Sequence, residues 1–308
     1  MTSPRFTLPF FVLLFLAPAV ALQAGFKEEL AYAEYLFNRQ EYNLALTEYR
    51  RVLFLYPAPA AENGVRERIA RCYFKSADHA GLRSFILEQG VADQPEFRYL
   101  SGLSAFQQGR YALALERLSR ADPQAVELMD FSAMVRSASL ACLEKYPEAL
   151  ALIETSVSED SSLFEKRVLL KSAILKLSTT KPKSPALAAG LGLIPGAGLA
   201  YTGDWLKAGT LFSAGLITGA AGWLSLQDRN WSRPAGRDIL EVVLWGCGAL
   251  VLIGRSASES YQAAEAWNEQ RNNAVKNLML EDQGFIELFQ RFSLAPVQRT
   301  VYSLAFSF

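Results

Sequence analysis

The sequence predicts a mainly α fold: a solenoid of helical repeats, then a helical membrane hairpin, then a short C-terminal β-strand or hairpin. Three observations carry this. Apolar residues recur at three- and four-residue intervals from Phe26 to about Thr180, the period of helices buried along one face. Two apolar stretches long enough to concern a bilayer follow between Ala208 and Gly254. Beyond Gly284 the period changes to two, with Tyr302, Leu304, Phe306 and Phe308 alternating with Val301, Ser303, Ala305 and Ser307, the pattern of a strand. The expected segments of the 308-residue chain are 1–24, 25–180, 185–272 and 273–308.

Composition narrows the function classes. The 31 basic and 31 acidic residues cancel, so no global field draws nucleic acid, and no nucleic-acid partner is expected. Hydrophobic residues make up 51% beside 20% charged residues, at a mean hydropathy of +0.10, which requires the apolar content to be segregated. The first part of it is residues 1–24, where Arg5 precedes an uncharged run from Leu8 to Leu22 closing on Ala19, Ala21 and Ala24. This is the pattern of a secretory signal peptide cleaved after Ala21 or Ala24, or of an uncleaved anchor; both export the repeats. No cysteine stands at that junction to carry a lipid. The three cysteines, Cys72, Cys142 and Cys247, do not make a disulfide framework and read as small buried apolar residues.

Within 25–180 the breaks fall at Pro57, Gly90, Pro95 and Pro123. The stretch from Ala33 to Pro57 resembles the tetratricopeptide consensus, with Ala33, Tyr42, Ala45, Tyr49 and Pro57 at signature positions. Related registers recur with Gly109, Tyr111 and Ala114, with Tyr146 and Ala149, and in a degenerate copy from Ala70 to Leu82. The equivalent positions Ala45, Leu82, Ala114 and Ala149 are 37, 32 and 35 residues apart, so four tetratricopeptide-like repeats are expected. The small residues let the two helices of each pair lie close while Tyr42, Tyr111 and Tyr146 fill the space beside the turn. The helix expected from Ser161 to Leu177, with Glu165, Lys166, Arg167, Lys171 and Lys176, gives the last repeat a polar cover.

Arrays of this kind bind polypeptides on the concave face of their first helices, so the resemblance implies an envelope protein or peptide partner. The register places Glu34, Phe37 and Asn38, then Arg71, Phe74 and Lys75, then Tyr99, Phe106 and Gln107 on that face. Phe37, Phe74 and Phe106 read either as an aromatic ladder for an apolar peptide or as rings packed inside the array. Glu34 takes the place of a clamp residue that some relatives use to hold a terminal carboxylate, which argues against a partner recognised by its free C-terminus.

Ser178 to Pro185 reads as a linker. Beyond it, Pro195, Gly196, Gly198, Tyr201, Gly203 and Gly209 match the motif P-G-x-G-x-x-Y-x-G-x-x-x-x-x-G, which resembles a bacterial membrane module of uncharacterised function. Ala263 to Asn268 is similar to the helix that closes that module. Ala208 to Leu226 is a 19-residue uncharged run, able to span about 28 Å as a helix. Its Gly215-x-x-x-Gly219 pair lets a second helix, expected from Ile239 to Gly254, approach closely; Glu241 falls at that helix's start. A polar helix is expected from Arg255 to about Leu280, and a strand from Phe285 to Leu294 to pair with the last residues about Ala295-Pro296.

The segment between the spans carries Arg229, Arg233 and Arg237 against Asp228. Positive loops stay cytoplasmic, so the expected location is the bacterial inner membrane with repeats and C-terminus in the periplasm, with outer-membrane association as the alternative. No motif for phosphate, dinucleotide or zinc binding and no nucleophile elbow is present; His79 is the single histidine and reads as a surface residue. The expected function is therefore a non-enzymatic, membrane-anchored envelope scaffold with membrane lipid as a partner and no cofactor, metal or small-molecule substrate. The alternatives are a small transporter or channel subunit regulated by its repeats, and an outer-membrane assembly component.

Overall fold

The computed structural model describes residues 25–62, 64–121, 126–155, 160–227 and 236–293, and every regular element among them is a helix. The chain divides into two compact units, one made of the residues up to Ile174 with those from Val275 on, the other of Leu175–Ala274. The first holds α1 (25–38), α2 (Tyr42–Leu55), α3 (Pro57–Glu62), α4 (Val65–Lys75), α5 (His79–Glu88), α6 (Pro95–Gln107), α7 (Tyr111–Ser119), α8 (Val126–Cys142), α9 (Tyr146–Glu154) and most of α10 (Ser161–Thr179). The second holds α11 (Pro185–Leu191), α12 (Ala197–Thr202), α13 (Trp205–Leu226) and most of α14 (Gly236–Glu281). The end of α14 and α15 (Gln283–Phe292) belong to the first unit again.

One turn ends α1, α4, α6 and α8 in the first unit, and ends α5 at Gly90 as well. Gln40, Ala77, Gly109 and Glu144 have positive φ of 64°, 57°, 74° and 61°, five residues before Ala45, Leu82, Ala114 and Ala149. At each, the positive-φ residue donates its N–H three residues back, to Phe37, Phe74, Phe106 and Ala141, and the next residue donates five back, to Leu36, Tyr73, Ala105 and Leu140. This paired bond satisfies the last carbonyls of a helix and reverses the chain. The repeated backbone makes α1/α2, α4/α5, α6/α7 and α8/α9 equivalent helix pairs.

The packing follows from side-chain size. Ala45, Ala114 and Ala149 are wholly buried, and Leu82 stands in their place in the second pair. There the close approach comes from the preceding residue: a Cβ on Gly81 would meet the Tyr73 ring at 2.5 Å. Successive first helices then pack on one another, α4 on α6 and α6 on α8, around buried Ile69, Phe97, Leu103, Phe131 and Met134. Pro57 and Pro95 open α3 and α6, where a missing N–H costs nothing; Pro123 lies outside the described residues.

Three expectations are revised. The segment from Phe285 forms α15 and not a strand, because Phe285, Leu288, Phe289 and Phe292 line one face of a helix whose N-terminus Asp282 caps. No strand occurs among the described residues; the one expected over 301–308 lies outside them, as do residues 1–24. The second apolar stretch and the polar helix after it are one 46-residue helix, α14, since nothing between Gly254 and Arg255 interrupts helical hydrogen bonding. Cys72 is buried, but Cys142 is half-buried and Cys247 is exposed on α14.

Candidate functional site

The nine residues expected on the first-helix face lie on α1, α4 and α6 in differing surroundings. On α1, Glu34 pairs with Arg68, Phe37 packs edge-on against Tyr42 at 5.4 Å, and Asn38 is exposed. On α4, Arg71 is half-buried and Phe74 buried, and Lys75 is half-buried at the helix end. On α6, Tyr99 is buried, which raises its pKa; Phe106 is wholly buried and Gln107 half-buried. Interior packing therefore accounts for Phe37, Phe74 and Phe106. Phe37 and Phe106 each lean on the tyrosine that opens the next helix, Phe106 against Tyr111 at 5.7 Å.

Phe106 has a second neighbour. Its ring stacks on Phe289 of α15 at 6.1 Å, and Phe131 of α8 meets Phe289 edge-on at 5.0 Å and stacks on Phe292 at 5.1 Å. Phe285, Leu288, Phe289 and Phe292, at i, i+3, i+4 and i+7, are at most 5% exposed. Each such side chain taken from water stabilises the contact by about 1.5–3 kcal/mol.

Polar groups fix both ends of α15. Asp282 accepts from the Phe285 N–H at 3.2 Å and from Lys166 of α10 at 2.7 Å, which lowers its pKa. At the other end Lys75 donates to the Gln290 carbonyl at 3.0 Å, where a cation meets the negative pole of the helix. Burial pushes the Lys75 ammonium down to about 8. Arg291 pairs with Asp160 at 2.8 Å. The Ser162 hydroxyl first, then Arg291, hold the Asp160 carboxyl down to about 2. Of these groups sequence reasoning singles out only Phe106 and Lys75 for the face. Phe131, Lys166 and Asp160 carry no motif, but the helical spacing of Phe285, Leu288, Phe289 and Phe292 is visible in the sequence.

In the second unit the motif residues have local work. Gly196 and Gly203 take φ of 85° and 93° around α12, and the Gly196 N–H donates to Ser256 of α14 at 3.1 Å. A Cβ on Gly196 or Gly198 would run into the carbonyl of Ala208 or Ala188. Pro195 lies under Gly215, and the Tyr201 hydroxyl accepts from the Ser184 N–H at 3.2 Å. Gly209 has open space beside it, and nothing in the structure explains it. Asn268 closes the unit by accepting from the Lys183 N–H at 2.9 Å and donating to the Lys183 carbonyl at 2.7 Å. The Lys183 ammonium lies 4.5 Å from the centre of the Trp267 ring and donates to the Thr202 carbonyl at 2.7 Å.

Helices α13 and α14 are long and apolar enough to cross a bilayer, with windows of mean hydropathy 1.2 and 1.7. Trp205, Leu206, Ile217, Trp223, Leu250 and Val251 are each about 70% exposed or more. The expected Gly215-x-x-x-Gly219 contact is different in detail. Gly215 faces Pro195, Gly222 faces Trp245, and Gly219 opens onto an apolar crevice of about 710 Å³ between the helices.

His79 is half-buried, with burial lowering its pKa. Its Nδ1 lies 2.9 Å from the Ser104 hydroxyl, which also takes a bond from Gln108 at 3.0 Å. Ser104 is 3% exposed and the adjoining cavity is about 20 Å³, too small for a substrate, so the pair ties α5 to α6. No group of three metal-ligating side chains exists among the described residues. Comparison with protein families, curated proteins and solved structures returns no match for the chain.

Proposed function

We propose that this chain is a membrane-anchored scaffold of the bacterial envelope. Its tetratricopeptide-like helix pairs engage a protein partner, and its Gly-rich hairpin holds them at the inner membrane on the periplasmic side. The observation that carries the reading is the contrast in solvation between α13 with the start of α14, whose large apolar side chains face outward, and the first-helix face of α4, α6 and α8, which holds a helix. Arg229, Arg233 and Arg237 between the spans support a cytoplasmic loop, and the run from Leu8 to Leu22 supports export.

The test is alkaline washing of vesicles combined with labelling of an Asn230→Cys chain. The reading expects retention in the pellet and modification of the cysteine from the cytoplasmic side alone. Release by the wash would remove the anchor, and modification from the periplasm would invert the orientation. A photo-crosslinker at Asn38 or Gln107 is expected to join a discrete envelope protein; a smear of unrelated adducts would contradict the scaffold role.

A further inference from the structure

Helix α15 is packed as a ligand is packed. Each first helix of the array already has a mate in its own pair, α5 for α4, α7 for α6 and α9 for α8, so no pair needs α15 to be complete. It is ten residues long and joined to α14 through Asp282 alone. It buries one face, Phe285, Leu288, Phe289 and Phe292, while Glu287, Gln290 and Arg291 lie on its other side.

The polar groups around it read direction as well as shape. Lys166 meets the acidic residue before the first turn at 2.7 Å, Lys75 meets a carbonyl of the last turn at 3.0 Å, and Asp160 meets the basic residue beside it at 2.8 Å. A helix laid in reverse would bring its positive pole to Lys75. Two aromatic anchors, Phe106 and Phe131, sit between these polar ends, an arrangement suited to an amphipathic helix in a groove.

From this we infer that the face of α4, α6 and α8 is a binding site for an amphipathic helix and that α15 is its built-in occupant. The partner is a helix of another protein with bulky apolar residues at i, i+3, i+4 and i+7, an acidic residue at its N-cap and a basic residue in its last turn. It enters when α15 leaves. The inference rests on the scaffold reading and names the class of partner that reading requires. With α15 seated, the site is open in only a fraction of molecules, and apparent affinity falls by that fraction.

The experiment uses the full chain in detergent micelles and a fluorescein-labelled peptide spanning Glu281 to Ser293. The double variant Phe285→Asp, Phe289→Asp expels α15 and is expected to bind the peptide on the order of tenfold or more tightly than the unaltered chain. Adding Lys75→Glu and Lys166→Glu to that variant should return binding to the unaltered level. Equal binding by the expelled and unaltered chains overturns the inference, as does indifference to the lysine reversals. Should the expelled variant aggregate, a chain carrying a protease site at Asp282 is cut after folding. Exchange of the severed helix for labelled peptide supports the site, and loss of helical signal on cutting makes α15 a core element and overturns it. A dimer in which two copies trade α15 overturns the choice of partner. If the peptide fails to bind a chain that still resists alkaline washing, the inference alone is lost and the scaffold stands.

Discussion

The two units differ in the size of the side chains that make their closest contacts. The repeat unit puts Tyr49, Phe97, Phe106, Phe131 and Phe285 inside and reverses its chain at positive-φ turns after α1, α4, α6 and α8. The hairpin unit turns Trp205, Ile217, Trp223 and Val251 outward and makes its close contacts through Gly192, Gly196, Gly198, Ser256 and Ser260. In water, apolar area removed from solvent drives association, so large residues go inside. In lipid that drive is missing, and small residues that let backbones touch take over. The difference teaches that two units of one chain can pack by different rules, large rings filling one and glycines and serines bringing backbones together in the other.

The largest effects should come where each unit packs by its own rule. Phe131→Ala removes a ring wedged between Phe289 and Phe292 and should cost about 3–5 kcal/mol in chemical denaturation of the repeat unit. Ile217→Ala deletes an equally apolar side chain at 70% exposure, and in micelles it should cost under about 0.5 kcal/mol, because detergent replaces the lost neighbour. A comparable cost for both would break the comparison.

Next is backbone approach in the hairpin unit. Gly196→Val adds a Cβ against the Ala208 carbonyl at positive φ and should cost roughly 3 kcal/mol by strain and overpacking. Gly209→Val, with open space beside it, should leave the unfolding midpoint in mild detergent unchanged. Equal losses would remove the steric account of the motif.

Acidity bears on the polar ends of α15. The carboxyls of Asp160 and Asp282 are lowered in the folded chain, Asp160 to about 2. Their contribution is therefore present above the ordinary carboxylate range and is lost as pH falls through it toward 2. Burial lowers Lys75 to about 8, so between about pH 8 and about pH 10.5 the folded unit binds fewer protons than the unfolded chain and gains stability as pH rises. A Phe292→Trp reporter should follow both changes in sign; strengthening on acidification would contradict them. The smallest effect is at the turns. Gln40→Gly and Glu144→Gly should stabilise by up to about 1 kcal/mol each, and Gly109→Ala should destabilise by about 1–2 kcal/mol, read from thermal midpoints.

The sequence makes the repeat period legible because small residues and turns recur at fixed offsets, and the same spacing of 37, 32 and 35 residues reappears in the positive-φ turns. The hairpin helices are legible as uncharged runs. What remains hidden is what one segment meets in space. Phe285 to Phe292 is rich in aromatic residues and short, so strand and helix periods both fit it, and burial against Phe106 and Phe131 decides for the helix. For the candidate site, Phe106 and Lys75 are legible from register alone. Lys166 and Asp160 are not, since their role comes from a segment more than 100 residues away.

Five tryptophans lie at 205, 223, 231, 245 and 267 and none in the repeats, so intrinsic emission reports the hairpin unit alone. The most direct measurement is that emission from chain reconstituted in vesicles of brominated phosphatidylcholine. Burial of α13 and the start of α14 in lipid predicts strong quenching by the brominated chains and little by aqueous iodide. Emission untouched by the lipid bromines and quenched by iodide would contradict it.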